Sequence, residues 1–357
     1  MREPSQTRGV RATEALVRAA LSRPTPMTHA ASAVTLAVAM TFAVAIAPRS
    51  ARATDASAGS SSAPAWGQTA DLVDYGLILA GLAMVGSARL FDHPRLAAIG
   101  PVYDPAQPAK VFDPSLSDRI GKSYREEGNG ELVPVSTATV AVAAVFGAIA
   151  IDTAIHQAAG ASQGARTTHD ALVGFAEGAA LTLGLVELLK PVVGRLRPDF
   201  QDRALRFHCQ VAPIDGVDCS NVPRLAATDA EARRLLDDGR KSFPSGHSGA
   251  SFFAATYAAS YLGGRYVWGD QATATSRSIA LLSSGLLLSA AGFVATSRFD
   301  DGRHNLTDIV TGTGLGVTFA LFSYWRRFDG NGRSRRAGAG GPTVGLLGRG
   351  LSVSVGF

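Results

Sequence analysis

Apolar residues along this chain gather into long runs and seldom alternate. Runs near 72–88, 133–151, 171–189, 248–263, 279–296 and 306–325 are each close to the length an α-helix needs to cross a bilayer. They are rich in Ala, Gly, Ser and Thr, which suits close helix contact in lipid. Asp74, Asp152, Glu177, Glu187 and Asp308 sit in or beside them. In lipid such groups turn toward the bundle interior, whereas in a water-soluble bundle they need only lie near the surface. Period-two alternation occurs only at the end of the chain, over 343–347 and 351–357 about a Gly-Arg-Gly turn, and predicts a β-hairpin there. The expected fold class is therefore all-α, a helical bundle of about six core helices able to sit in a membrane, with a short C-terminal hairpin.

The polar stretches divide the chain. Residues 1–53 combine a basic lead, an apolar segment over 31–47 and Ala51-Arg52-Ala53, the pattern of a secretory signal cleaved after Ala53. An uncleaved anchor helix is the other reading. Residues 54–132 comprise one helix and an irregular, charged excursion punctuated by Pro101, Pro105, Pro108 and Pro114. Residues 133–327 hold the helical core, and 328–357 a Gly/Arg-rich linker and the hairpin. Within the core, the connection 191–243 carries the only two cysteines, Cys209 and Cys219. With a leader ahead of them, a pair so spaced predicts a disulfide formed in an oxidising compartment. Residues 227–238 read as a short surface helix in the same connection.

Composition adds little beyond this. The chain of 357 residues is 46% hydrophobic and 18% charged, with a net charge of +5. Mean hydropathy of +0.13 leaves both a soluble and a membrane-embedded bundle open. The arginines are spread through loops and tails, without a basic stripe interleaved with aromatics, so no nucleic-acid partner is expected.

Candidate chemistry gathers where the runs end. The third run closes on Lys190 and continues to Arg197-Pro198, the fourth opens at Pro244-Ser245-Gly246-His247, and Ser297–Asp308 joins the last two. Alternating helix direction brings all these termini to one side of the bundle. Three cations, two histidines and the N–H groups of a helix N-terminus would there make a strong anion site. His304 and Asp308, four apart, share a helix face, so the carboxylate can fix the imidazole tautomer and leave the other nitrogen to attack an electrophile. Such a set matches phosphoryl transfer, in which the protein's main task is to spread charge over three equatorial oxygens.

The three clusters read K-x6-R-P, P-S-G-H and S-R-x5-H-x3-D, in that order. Together they resemble the type 2 phosphatidic acid phosphatase (PAP2) superfamily, which also includes bacterial non-specific acid phosphatases and vanadium haloperoxidases. The similarity covers roughly 133–325, and its bacterial phosphatase branch is the expected home. The resemblance implies a nucleophile at His304, oriented by Asp308, and a general acid and base at His247. It implies phosphate binding by Lys190, Arg197, Ser245, Gly246 and Arg298. No metal and no cofactor are implied, vanadate entering only if the chain is a haloperoxidase. The implied activity is hydrolysis of phosphomonoesters, either lipid phosphates and diphosphates or small esters. A haloperoxidase, or a non-catalytic anion-binding or transport protein, is the alternative.

Other residues fall outside the motifs. Asp300, Asp301 and Arg303 lie in the variable spacer and either tune substrate choice or are solvated. Arg195, Arg240 and Lys241 add positive field at the mouth or serve only as surface charges, and Glu187 is placed to pair with Lys190 three residues on. The expected location is a bacterial-type cell envelope, with the bundle in the membrane and its site facing the periplasm, or else a soluble periplasmic bundle. A cleaved signal and six spans conflict, because three crossings from an outside terminus would bring Lys190 inside.

Overall fold

The computed structural model describes residues 66–90, 135–158, 164–270, 272–335, 343–347 and 350–354. The signal or anchor expected over 1–53, the stretch 54–65 and the excursion beyond Leu90 lie outside the described residues, as do residues 336–342 of the Gly/Arg-rich linker. Eight α-helices are described: α1 (Trp66–Leu90), α2 (Val135–Ala158), α3 (Gly164–Val193), α4 (Phe200–Val211), α5 (Asp229–Asp238), α6 (Gly246–Leu262), α7 (Ala274–Asp300) and α8 (Leu306–Trp325). A π-helical turn, Gly263–Val267, finishes α6. The backbone of β1 (Thr343–Leu347) pairs antiparallel with that of β2 (Gly350–Ser354).

The runs 72–88, 171–189, 279–296 and 306–325 fall inside α1, α3, α7 and α8, the described part of 133–151 lies in α2, and 248–263 spans α6 and the first residue of the π turn. Local chemistry sets several of their ends. Thr273 starts α7 by accepting from the Ser276 N–H at 3.2 Å, while its own N–H donates to the Ser276 hydroxyl at 2.9 Å. Thr228 caps α5 by accepting from the Glu231 N–H at 3.2 Å, and Asp229 and Glu231 lie in that helix's first turn, where the dipole favours negative charge. The short helix expected over 227–238 is thus α5. Helix α4 was not expected. Its single buried stripe, Phe200, Arg203, Ala204 and Phe207, includes an arginine and is too short to register as an apolar run.

One hydrophobic cluster joins α2, α3, α6, α7 and α8 through Ile149, Phe175, Phe253, Tyr257, Leu287 and Tyr324. A second, smaller cluster packs α4 on α5 through Phe200, Phe207, Leu225 and Leu236. The α4–α5 pair is a cap with its own core, closed by the Cys209–Cys219 disulfide (S–S 2.02 Å). Helices α3, α7 and α8 are long and apolar enough to cross a membrane, over 166–193, 274–300 and 306–325. On α7, Leu281, Leu282, Leu286 and Phe293 all point outward. Large exposed aliphatic side chains at this density suit a lipid surface.

Helix α1 packs along α3 at close range. A Cβ at Gly184 would lie 2.4 Å from the Gly81 carbonyl oxygen, so the crossing excludes any larger residue there. At the far end of α8, Arg326 and Arg327 reach back to Asp74 of α1 and Glu177 of α3. Arg327 lies 3.0 Å from Asp74, and Arg326 donates to Glu177 at 2.6 Å. Asp74, Glu177, Asp308 and Arg327 are completely buried, and Asp152 nearly so. Four of the five acids associated with the runs therefore face inward. Glu187 is the exception, half exposed and paired with Lys190.

Breaking a buried pair by deleting one partner costs about 3–5 kcal/mol, because the remaining charge is left uncompensated. Glu177→Ala and Asp74→Ala should each lower stability by roughly that amount. Thermal unfolding of the full chain in detergent would measure it, and a loss no larger than that of an exposed acid such as Asp300 would contradict the assignment.

Candidate active site

The three motifs meet at the end of the bundle opposite the Arg326–Arg327 cluster, and backbone hydrogen bonds stitch them together. Gly194, at φ 60°, ends α3 as its N–H donates to the Lys190 carbonyl at 3.0 Å. The chain then runs beside the segment that precedes α6. The Arg197 N–H donates to the Gly239 carbonyl at 2.8 Å, and the Ser242 N–H to the Arg195 carbonyl at 2.9 Å. The Ser245 N–H donates to the Asp308 carbonyl at 3.0 Å, tying the start of α6 to the start of α8. This last contact depends on Gly312, where a Cβ would stand 2.3 Å from the Ser245 carbonyl oxygen.

His304 is 4% exposed and sits in the tight link between α7 and α8. Gly302, at φ 67°, lets the chain double back so that the Arg303 and His304 N–H groups both reach the Arg298 carbonyl, at 3.1 and 3.3 Å. The imidazole Nδ1 lies 2.7 Å from the Ser242 carbonyl oxygen. A carbonyl can only accept, so Nδ1 carries the proton and Nε2 presents its lone pair. Asp308 was expected to make this contact directly. Its carboxylate instead stands 3.9 Å from Nδ1 and acts one step back. It accepts from the Ser242 hydroxyl at 2.5 Å, the Asn305 N–H at 2.8 Å and Arg195 Nη1 at 2.9 Å.

Two of these partners were missed from sequence. Arg195, read as a field or surface charge, is buried and also donates to the Thr307 hydroxyl. Its position two residues before Arg197 was the available signal. Ser242 had none, because its role exists only once the 239–244 segment lies against 304–308.

Lys190, Arg197 and His247 surround His304. Burial is the largest influence on the His304 ring and lowers its pKa well below the ordinary imidazole value, and the charges of Arg197, His247 and Lys190 push it the same way. The hydrogen bond to Ser242 opposes them. Lys190 also overhangs the start of α6, since a Cβ at Gly246 would be 3.4 Å from its Nζ. Ser245 caps α6, its hydroxyl accepting from the Ser248 N–H at 3.4 Å, so the first turn of that helix faces the same cations. Arg298 is buried and donates to Asp301 at 2.9 Å, which makes Asp301 an internal partner and no solvated spacer residue. Arg303 is buried 3.8 Å from Asp199, whereas Asp300 is exposed. Arg240 packs over the Phe200 ring. Among the described residues no group of three or more His, Cys, Asp or Glu side chains is placed to hold a metal ion.

Residues 171–331 match the family model of the PAP2 superfamily. The chain is 30% identical over 160 residues to lipid phosphate phosphatase 2 of Arabidopsis thaliana, covering 45% of this chain and 51% of the relative. It is 35% identical over 142 residues to diacylglycerol pyrophosphate phosphatase 1 of Saccharomyces cerevisiae, covering 39% and 45%. The chain thus spans about half the length of these relatives. No solved structure matches. The relatives include proteins of a fruit fly, a plant, two yeasts and a slime mould. That eukaryotic set overturns the expectation of a bacterial branch and of an enzyme of the bacterial envelope with a periplasm-facing site. The leader pattern had suggested that location, but a short apolar segment with a small-residue site marks export in general and not one kind of cell.

Acidification should expose the state of His304. A folded pKa below the unfolded value means that the unfolded chain binds the extra proton first, so this residue's contribution to stability declines as pH falls below about 6.5. His304→Asn should flatten that part of the profile, as read from unfolding midpoints between about pH 7.5 and 5.5. Parallel profiles for the variant and the natural chain would contradict the neutral assignment. Separately, Arg195→Met should cost roughly 3–5 kcal/mol by stranding the buried Asp308 carboxylate, as measured by denaturation at pH 7.

Proposed function

We propose that this chain is a metal-independent phosphatase that hydrolyses phosphomonoesters through a phosphohistidine at His304. The observation that carries the reading is the Ser242 carbonyl on His304 Nδ1, which leaves Nε2 as an unprotonated nucleophile among three cationic or ionisable neighbours. In the first step Nε2 attacks phosphorus, forming the N–P bond as the P–O bond to the leaving group breaks. His247 donates a proton to the departing oxygen. In the second step His247 takes a proton from water, the hydroxide oxygen bonds to phosphorus, and the N–P bond breaks to release inorganic phosphate. Lys190, Arg197 and Arg298, with the α6 N-terminus at Ser245 and Gly246, hold the equatorial oxygens.

The substrate class we favour is a lipid phosphate or diphosphate, with small phosphate esters as the alternative. Two observations support it: the names of the lipid phosphate and diacylglycerol pyrophosphate phosphatases to which the chain is similar, and three helices of membrane-crossing length. A substrate whose headgroup lies at the membrane surface would reach a site built at helix ends.

The test is a substrate panel assayed with EDTA present: phosphatidate, diacylglycerol pyrophosphate and a chromogenic phosphate ester. Turnover should survive the chelator, be blocked by vanadate, and fall by about a thousandfold or more in His304→Ala. A quench in alkaline denaturant, which preserves the acid-labile N–P bond, should trap labelled phosphate on the natural chain and none on His304→Ala. Halide oxidation that requires vanadate and peroxide, without ester hydrolysis, would replace this reading with a haloperoxidase. Phosphate binding that persists in His304→Ala without turnover in either chain would indicate a binding or transport protein.

A further inference from the structure

Motif residue Arg197 is already engaged by a carboxylate. Its Nη2 donates to Asp238 Oδ1 at 3.0 Å, across 41 residues of sequence. Asp238 is the last residue of α5, so it reaches the site from the disulfide-closed cap and not from the bundle. Its other oxygen accepts from Arg203 Nη1 at 3.3 Å. Arg203 is completely buried and is held independently by Asp199, at 3.0 Å, and by the Leu235 carbonyl, at 2.8 Å. The Arg197 Nε is buried and meets no acceptor among the described residues. One edge of the guanidinium is thus tethered to the cap while its Nε is left for another acceptor.

We propose that Asp238 is a positioning residue of the phosphate site, a built-in counter-anion that holds Arg197 by Nη2, leaves Nε for a phosphoryl oxygen, and weakens the grip on phosphate so that product leaves. The inference rests on the reading of Lys190, Arg197 and His304 as a phosphate site and adds a residue from outside its motifs. Three observations support it. The side chain of Asp238 is 36% exposed, so it meets solvent and is not sealed inside the protein. Burial acts to raise its pKa, but Arg197, Arg203, Lys190 and Arg303 outweigh that, and the group stays below the usual carboxylate range. Being within the electrostatic reach of Lys190, it must also act on a phosphate bound there. A fixed anion beside a bound phosphate lowers its affinity, and a fixed acceptor on Arg197 limits the rotamer freedom lost on binding.

Substitution can separate these two effects. Asparagine keeps an oxygen for Arg197 and removes the charge, whereas alanine removes both. Asp238→Asn in the full chain should lower the inhibition constant of inorganic phosphate on the order of tenfold, with a smaller change in kcat. Asp238→Ala should lower kcat/KM, and Asp238→Glu should return phosphate inhibition close to that of the natural chain. An unchanged or raised inhibition constant in folded Asp238→Asn would overturn the inference and leave the phosphate site standing. A natural chain that neither phosphate nor vanadate inhibits would instead remove the site reading, and this inference with it. Asp238→Ser serves as a second neutral variant. If neither neutral variant folds while Asp238→Glu does, Asp238 is a structural counter-ion and the inference fails.

Discussion

The buried carboxylate of Asp308 is the node on which the site depends. It gathers donors from three separate places in the chain: Arg195 after α3, Ser242 before α6 and Asn305 at the start of α8. A buried carboxylate left short of donors is costly, and satisfying this one draws the three segments into one register. Ser242 completes the linkage, since its hydroxyl serves Asp308 while its carbonyl sets the tautomer of His304. The histidine is therefore oriented by backbone that the carboxylate holds in place, a more rigid device than a side chain alone.

Charge is used differently at the two ends of the bundle. Opposite the site, Arg326 and Arg327 meet Asp74 and Glu177 in a compensated cluster that fastens α1 to α3 and α8. At the site, cations converge around a histidine kept neutral by burial and by their own field. Glu187 pairs with Lys190 and Asp301 with Arg298, and the cap of α4 and α5 adds a further acid, Asp238, on Arg197.

Much of the bundle was legible along the chain because burying a helix in lipid or among other helices demands an uninterrupted apolar run, and such a run is visible locally. The motif residues were legible for a related reason. Lys190, Arg197, His247, Arg298 and His304 are polar groups at the ends of apolar helices, a costly placement that calls for a chemical purpose. Helix α4 was not legible, because its buried stripe is short and includes Arg203, whose burial is tolerable only with Asp199 and the Leu235 carbonyl in place.

By itself the sequence determined the helical architecture, the ends at which the chemistry lies, and the closeness of His304 to Asp308 where α8 begins, since these follow from spacing within single segments. It did not determine who touches His304. Spacing allowed Asp308 to hold the ring, but the fold places the Ser242 carbonyl there and turns Asp308 toward Arg195. Arg195 was for the same reason indistinguishable from a surface charge until the ends of α3 and α8 met. Contacts across more than sixty residues depend on how helices cross and how closely Gly312 lets α8 approach Ser245, and only the assembled structure sets that distance.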